Sequence, residues 1–113
     1  MTIVHPDAEL LRLGRRWQKA GRVWLHHHDG AVSAAAQVEF RRVDARIQAL
    51  PAHTAAGVAV RLRSALLHSE LTGDAEALLF GRRPDSDELF ETPSQWLMWQ
   101  AIEALEQPGG RAA

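Results

Sequence analysis

Three features of the chain predict an all-α fold. Apolar residues recur at three- and four-residue spacings, helix caps and prolines punctuate these runs, and no stretch alternates with the two-residue period of a half-buried strand. The expected architecture is a compact four-helix bundle, with helices over about 7–28, 31–50, 55–72 and 93–107 and a short extra helix near 75–80. Residues 1–107 read as one helical domain and residues 108–113 as a disordered tail.

The first helix opens at His5-Pro6-Asp7, where a proline and acids suit a helix N-terminus. Its stripe is Leu10, Leu13, Gly14, Trp17, Ala20, Gly21 and Trp24. Each of the two glycines costs about 1 kcal/mol of helix propensity relative to alanine. Their place beside the tryptophans therefore predicts close approach by a neighbouring helix or room for an indole ring. Asp29-Gly30 is either a turn or a point within one long rod. The stripe shifts there to Val32, Ala36, Phe40, Val43, Ile47 and Leu50, which favours a hairpin of two helices.

Pro51 ends the second helix, because the residue before a proline is pushed out of the helical region. Thr54 is a good N-cap for the third helix and Gly73 a good stop. Val58, Leu62, Ala65, Leu66 and Ser69 form one face of that helix, and Val60, Leu67 and Leu71 another nearly opposite. A helix apolar on two sides is buried on two sides. The Val60, Leu67 and Leu71 face must then meet the C-terminal part or a second subunit, which makes it the candidate self-association surface. Thr92-Pro93-Ser94-Gln95 carries a cap, a first-position proline and a glutamine that completes a capping box for the last helix. Pro108-Gly109-Gly110 stops it.

A chain of 113 residues holds a real core without staples. It has no cysteine, which excludes disulfides and thiol catalysis and suits a reducing cytosol. No apolar run is long enough to span a membrane, and MTIVHPDAE lacks the basic and apolar regions of a signal peptide, so a cytoplasmic protein is expected. The net charge of −1 conceals an asymmetry. Residues 1–50 carry eight Lys/Arg against five Asp/Glu, residues 51–73 two against one, and residues 74–113 three against eight. Such halves attract, within one fold or head-to-tail between copies.

The pattern DAELL-x-LG at Asp7–Gly14, followed by RVDARIQALPAHTAAGVAVRLR at Arg42–Arg63, resembles small all-helical proteins of alphaproteobacterial prophages and other mobile elements. The shared core is Leu50-Pro51-Ala52, Thr54, Gly57 and Arg61, and the likeness covers about half the chain. It implies a phage or mobile-element origin and carries over no catalytic residue.

Four groups of residues are candidates for chemistry or binding. His26-His27-His28-Asp29 suggests a metal site, but adjacent helical residues point about 100° apart and none of the histidines has a His, Asp or Glu four residues away. A polar helix end is the simpler account, and no metal or cofactor is expected. Arg12, Arg15, Arg16, Lys19 and Arg22 share one face of the first helix and suit phosphates or an acidic surface. No aromatic residue is interleaved with them, and a solvated face explains them equally. Ser64 and His68 are four apart on the third helix, but no orienting carboxylate or oxyanion hole is evident, so enzymatic activity is not expected.

Trp96 and Trp99 fall outside the apolar face expected for the last helix, formed by Leu97, Met98, Ala101, Ile102, Ala104 and Leu105. With Leu89 and Phe90 they are either anchors of a protein-binding surface or a pair of indoles covered by Leu89, Phe90 and the Leu78–Phe80 clump. The expected function is that of a non-enzymatic helical interaction protein, self-associating and acting by protein binding, as an inhibitor or adaptor of a host or phage complex. The alternative is a DNA-associated accessory protein in packaging or regulation, using the Arg12–Arg22 stripe.

Overall fold

The computed structural model describes residues 5–26, 29–69, 79–80 and 92–107. Four helices order the described residues: α1 (Ala8–His26), α2 (Gly30–Ala49), α3 (Ala55–Leu67) and α4 (Pro93–Glu106). There is no strand among the described residues, and the all-α bundle expected from periodicity is what forms. The expected short helix near 75–80 and the tail over 108–113 lie outside the described residues, apart from Leu79, which is helical, and Phe80, which is in a turn.

Helices α1 and α2 make an antiparallel hairpin. Asp29 sits in extended backbone and its carboxylate accepts from the N–H groups of Ala31 and Val32, so α2 has its own N-cap and the one-rod alternative is excluded. Across the hairpin Glu9 pairs with Arg46 and Arg16 with Glu39, while the Trp17 indole N–H donates to Asp44 at 2.9 Å. The stripe expected on α1 is the stripe buried: Leu10, Leu13, Trp17 and Ala20 face inward. On α2 burial runs through Phe40, Val43, Asp44 and Ile47, while Val32 at its start is exposed.

Both stripe glycines are points of close approach. A Cβ on Gly14 would stand 2.8 Å from a Val60 methyl, and one on Gly21 would press into the Phe80 ring. Phe80 completes an aromatic cluster, with its ring centroid 4.8 Å from Trp17 and 5.5 Å from Phe40. Trp24 closes the cluster at 5.3 Å from Phe40. Full burial of each such ring contributes about 2 kcal/mol from apolar area alone.

Helix α3 begins with Thr54, whose hydroxyl accepts from Gly57 N–H at 3.2 Å. A second cap comes from the far end of the hairpin. Asp7 accepts from the N–H groups of His53 and Thr54 and from the Thr54 hydroxyl at 2.7 Å. A negative charge at this N-terminus also suits the helix dipole. The helix is shorter than the expected 55–72. His68 leaves helical geometry, and Ser69 turns back so that both its N–H and its hydroxyl donate to the Leu66 carbonyl.

Helix α4 runs antiparallel to α3 and is fixed at both ends. Thr92 accepts from Gln95 N–H as expected of the cap. The Gln95 amide is directed to the Ser69 carbonyl at 2.6 Å, so it ties α4 to α3. At the other end the buried Arg63 donates twice to Glu106, at 2.8 and 2.9 Å. The same guanidinium donates to the Leu79 carbonyl and lies 5.1 Å from the Trp99 ring centre.

The structure corrects two faces. On α4 the inward residues are Gln95, Trp99 and Ile102, with Met98 and Leu105 partly buried, whereas Leu97 is 63% exposed. Of the two readings open for Trp99, binding anchor or covered indole, the covered one holds: it is only 7% exposed, because α4 is rotated to lay this indole against Arg63. On α3 the Val60 and Leu67 face, expected to meet the C-terminal part or a second subunit, packs on the core of its own chain, since Gly14 leaves room on α1 for Val60. Leu71 lies outside the described residues. On the other side of α3 Val58 and Ala65 are exposed, while Leu62 between them is partly buried against the core.

Candidate functional site

Pro51 ends α2 and Thr54 starts α3, so the chain turns a corner, and the two helices are bridged further along at Asp44, Ser64 and His68. The angle between them is a groove of ≈650 Å³. Ile47 and Ala52 line one side, and Val58, Leu62 and Ala65 of α3 the other. Gln48, Arg61 and His68 supply its polar rim, and Arg61 makes only a long 3.5 Å contact to the Gln48 carbonyl. An apolar concave surface with a few convergent polar groups is the usual form of a binding site.

Beneath the rim lies a polar network centred on Asp44. Its Oδ1 accepts from the Trp17 indole at 2.9 Å and from the Ser64 hydroxyl at 2.7 Å. Its Oδ2 accepts from the Gln48 amide at 3.0 Å and lies 2.7 Å from His68 Nε2. The carboxylate that sequence reading did not find for Ser64 and His68 is therefore present, but in the wrong place for nucleophilic catalysis. Asp44 stands between the two, the Ser64 proton is committed to it, and Ser64 is buried. A nucleophilic serine needs the imidazole as its own proton acceptor. This network fastens α1, α2 and α3 together. The signal in the sequence was an aspartate next to Val43 on the buried side of α2, facing the tryptophan stripe of α1.

The basic stripe is divided. Arg16 is paired with Glu39, and Arg22 donates to the Phe80 carbonyl at 2.7 Å. Arg12, Arg15 and Lys19 are exposed and make no ion pair among the described residues. Sequence reading missed the contribution of α2: Arg42 and Arg46 join Arg12 and Arg16 around a cleft of ≈490 Å³ between the two helices.

Of the candidate metal residues, Asp29 is engaged in the α2 cap. His27 and His28 lie outside the described residues, as does the side chain of His26, and no cluster of three metal-ligating side chains occurs among the described residues. Leu89 and Phe90 also lie outside them. Trp96 is 45% exposed on the outer side of α4. Among the described residues no helix is long and apolar enough to cross a membrane.

Among the described residues, fold and surface define a small all-helical bundle with an open apolar groove and an arginine-lined cleft. No protein-family model, curated protein or solved structure matches this chain.

Proposed function

We propose that the chain is a non-enzymatic helical interaction protein that binds a protein partner in the α2–α3 groove. The observation that carries this reading is the outward apolar face of α3. A helix this short has too little propensity to stand alone and relies on packing. Yet Val58 stays 37% exposed and Leu62 and Ala65 line an open groove. Grooves of this kind accept an amphipathic helix through anchors at i, i+4 and i+7. The phage or mobile-element setting, and a role as inhibitor or adaptor, enter this reading through the sequence resemblance alone.

The test is site-specific photo-crosslinking from position 58 in cells, with position 15 on the basic face as control. Protein adducts from position 58 that are absent from position 15 are expected. Equal or no adducts from both positions would overturn the reading.

A second reading, DNA association, is favoured by the arginine cleft of α1 and α2. Arg12, Arg15, Lys19 and Arg42 offer about four phosphate contacts, so affinity for duplex DNA would fall with salt at a log–log slope of roughly −3 to −4. Fluorescence anisotropy on wild type and Arg12→Glu/Arg15→Glu tests this. No binding at low salt removes it.

A further inference from the structure

We infer that the α2–α3 groove takes an amphipathic helix of a partner protein that carries an Asp or Glu beside its apolar anchors, and that Arg61 receives this carboxylate. The inference rests on the reading of the groove as an interaction surface and adds the charge of its occupant.

Along α3 the groove wall runs through Val58, Leu62 and Ala65 at i, i+4 and i+7, two helical turns or about 10 Å. Arg61 stands within this stripe, three residues after Val58 and four before Ala65, and lines the same groove. It is exposed and reaches toward α2, where its hydrogen bond to the Gln48 carbonyl is long, at 3.5 Å. A guanidinium carries several N–H donors in a planar fork that matches a carboxylate. Most of that fork is unused by the described residues.

No acid among the described residues serves Arg61. Arg16 and Arg46 are each held by a glutamate across the hairpin, but no Asp or Glu is among the described residues lining the groove. Asp44, beneath the rim, already accepts from Trp17, Ser64 and Gln48 and is paired with His68. His68 is therefore committed to Asp44, and the charge left for an incoming ligand is that of Arg61.

This cation selects the occupant. A purely apolar helix laid on Val58 and Ala65 would strip water from Arg61 and return nothing, which is costly. A basic helix would add repulsion. An acidic side chain turns the same desolvation into a charge-assisted pair, which fixes register as well as partner.

The experiment is selection of displayed helical peptides on the immobilised full chain. The peptides carry leucine at i, i+4 and i+7, with flanking positions randomised over Glu, Gln and Lys. Baits are wild type, Arg61→Gln, Arg61→Glu, Arg15→Glu on the basic face as a charge control, and Ala65→Phe, which fills the groove without changing charge. Circular dichroism checks that all remain helical. Wild type should enrich Glu over Lys at least about fivefold at one flanking position. The preference should vanish with Arg61→Gln, invert with Arg61→Glu and survive Arg15→Glu, and Ala65→Phe should retain no helix.

A wild type without preference for Glu overturns the inference, as does a preference that Arg61→Glu keeps or Arg15→Glu removes. Helices held by wild type and not by Ala65→Phe, with no such preference, leave the groove an interaction surface for an occupant of other charge. Dodecanoate is titrated alongside, since it offers the same carboxylate on an unstructured chain. Its binding with no helix retained would assign the groove to a small amphipathic acid and overturn the inference. No helix retained and no crosslinks from position 58 overturn both this inference and the broader reading.

Discussion

The Asp7 carboxylate stands where the first atom of any side chain on Gly57 would have to go. It is held there by the Thr54 hydroxyl and by two backbone N–H groups at the start of α3. Gly57→Ala improves helix propensity by about 1 kcal/mol in isolation. In this position it should instead lower Tm by roughly 10 °C, because Asp7 must leave its donors. Thermal unfolding by circular dichroism decides it, and a Tm at or above wild type would mean that Asp7 moves aside freely.

The same contacts make stability depend on acid. The Thr54 hydroxyl, opposed by burial and aided by the His53 and Thr54 N–H groups, holds the Asp7 carboxyl below its ordinary value of 3.8. A depressed folded value gives stabilisation that is complete above the unfolded value and is lost as pH falls through the folded one. Urea midpoints should show this contribution undiminished between pH 7 and about 5 and falling below about 4. In Asp7→Asn the acid-side fall should be shallower. An identical fall in both proteins would remove Asp7 as its source.

Asp44→Ala should destabilise by about 3 kcal/mol, since it strands the Trp17 N–H and the Ser64 hydroxyl in the core. Ser64→Ala, which removes one donor and leaves Asp44 its others, should cost about 1 kcal/mol. Urea denaturation gives both values. Equal losses would mean that the carboxylate is not the hub.

Gly21→Ala should cost more than Gly14→Ala. The first drives a methyl into the Phe80 ring, which is packed against both Trp17 and Phe40. The second meets the tip of Val60, which lies in a less buried position. Overpacking in a fixed site costs about 1–3 kcal/mol. Calorimetry that ranked the two in the opposite order would place the rigid neighbour at Val60.

Arg63→Ala should loosen α4 and the Leu79 turn together. A loss of about 3 kcal/mol is expected, because the guanidinium is buried and serves Glu106, Leu79 and Trp99 at once. Glu106→Ala should cost about 1–2 kcal/mol, since its carboxylate is more exposed and Arg63 keeps its other two contacts. Unfolding followed by Trp fluorescence orders the two variants. A larger loss for Glu106→Ala would contradict the clamp.

The α1 stripe, the Asp29 break, the Pro51 corner and the Thr54 and Thr92 caps were legible in the sequence because each is a local signal. The facing of α3 and α4 was not. On α3 apolar residues surround the axis, and only Gly14 on another helix decides that Val60 turns inward. On α4 the stripe of highest hydrophobicity competes with Trp99, and the position of Arg63 settles which is buried. The groove followed from that choice, and the Asp44 hub required partners 20 to 27 residues away.

The contact between Asp7 and Thr54 joins residues 47 apart in the chain, and that separation bears on the order of events in folding. Closing so long a loop from an open chain is slow and entropically costly. The α1–α2 hairpin removes the obstacle, because it returns the chain at Pro51 to where it started at Asp7. The hairpin is therefore expected to form first, as the template on which α3 nucleates. Substitutions in the hairpin should slow refolding, whereas those confined to α4 should mainly speed unfolding.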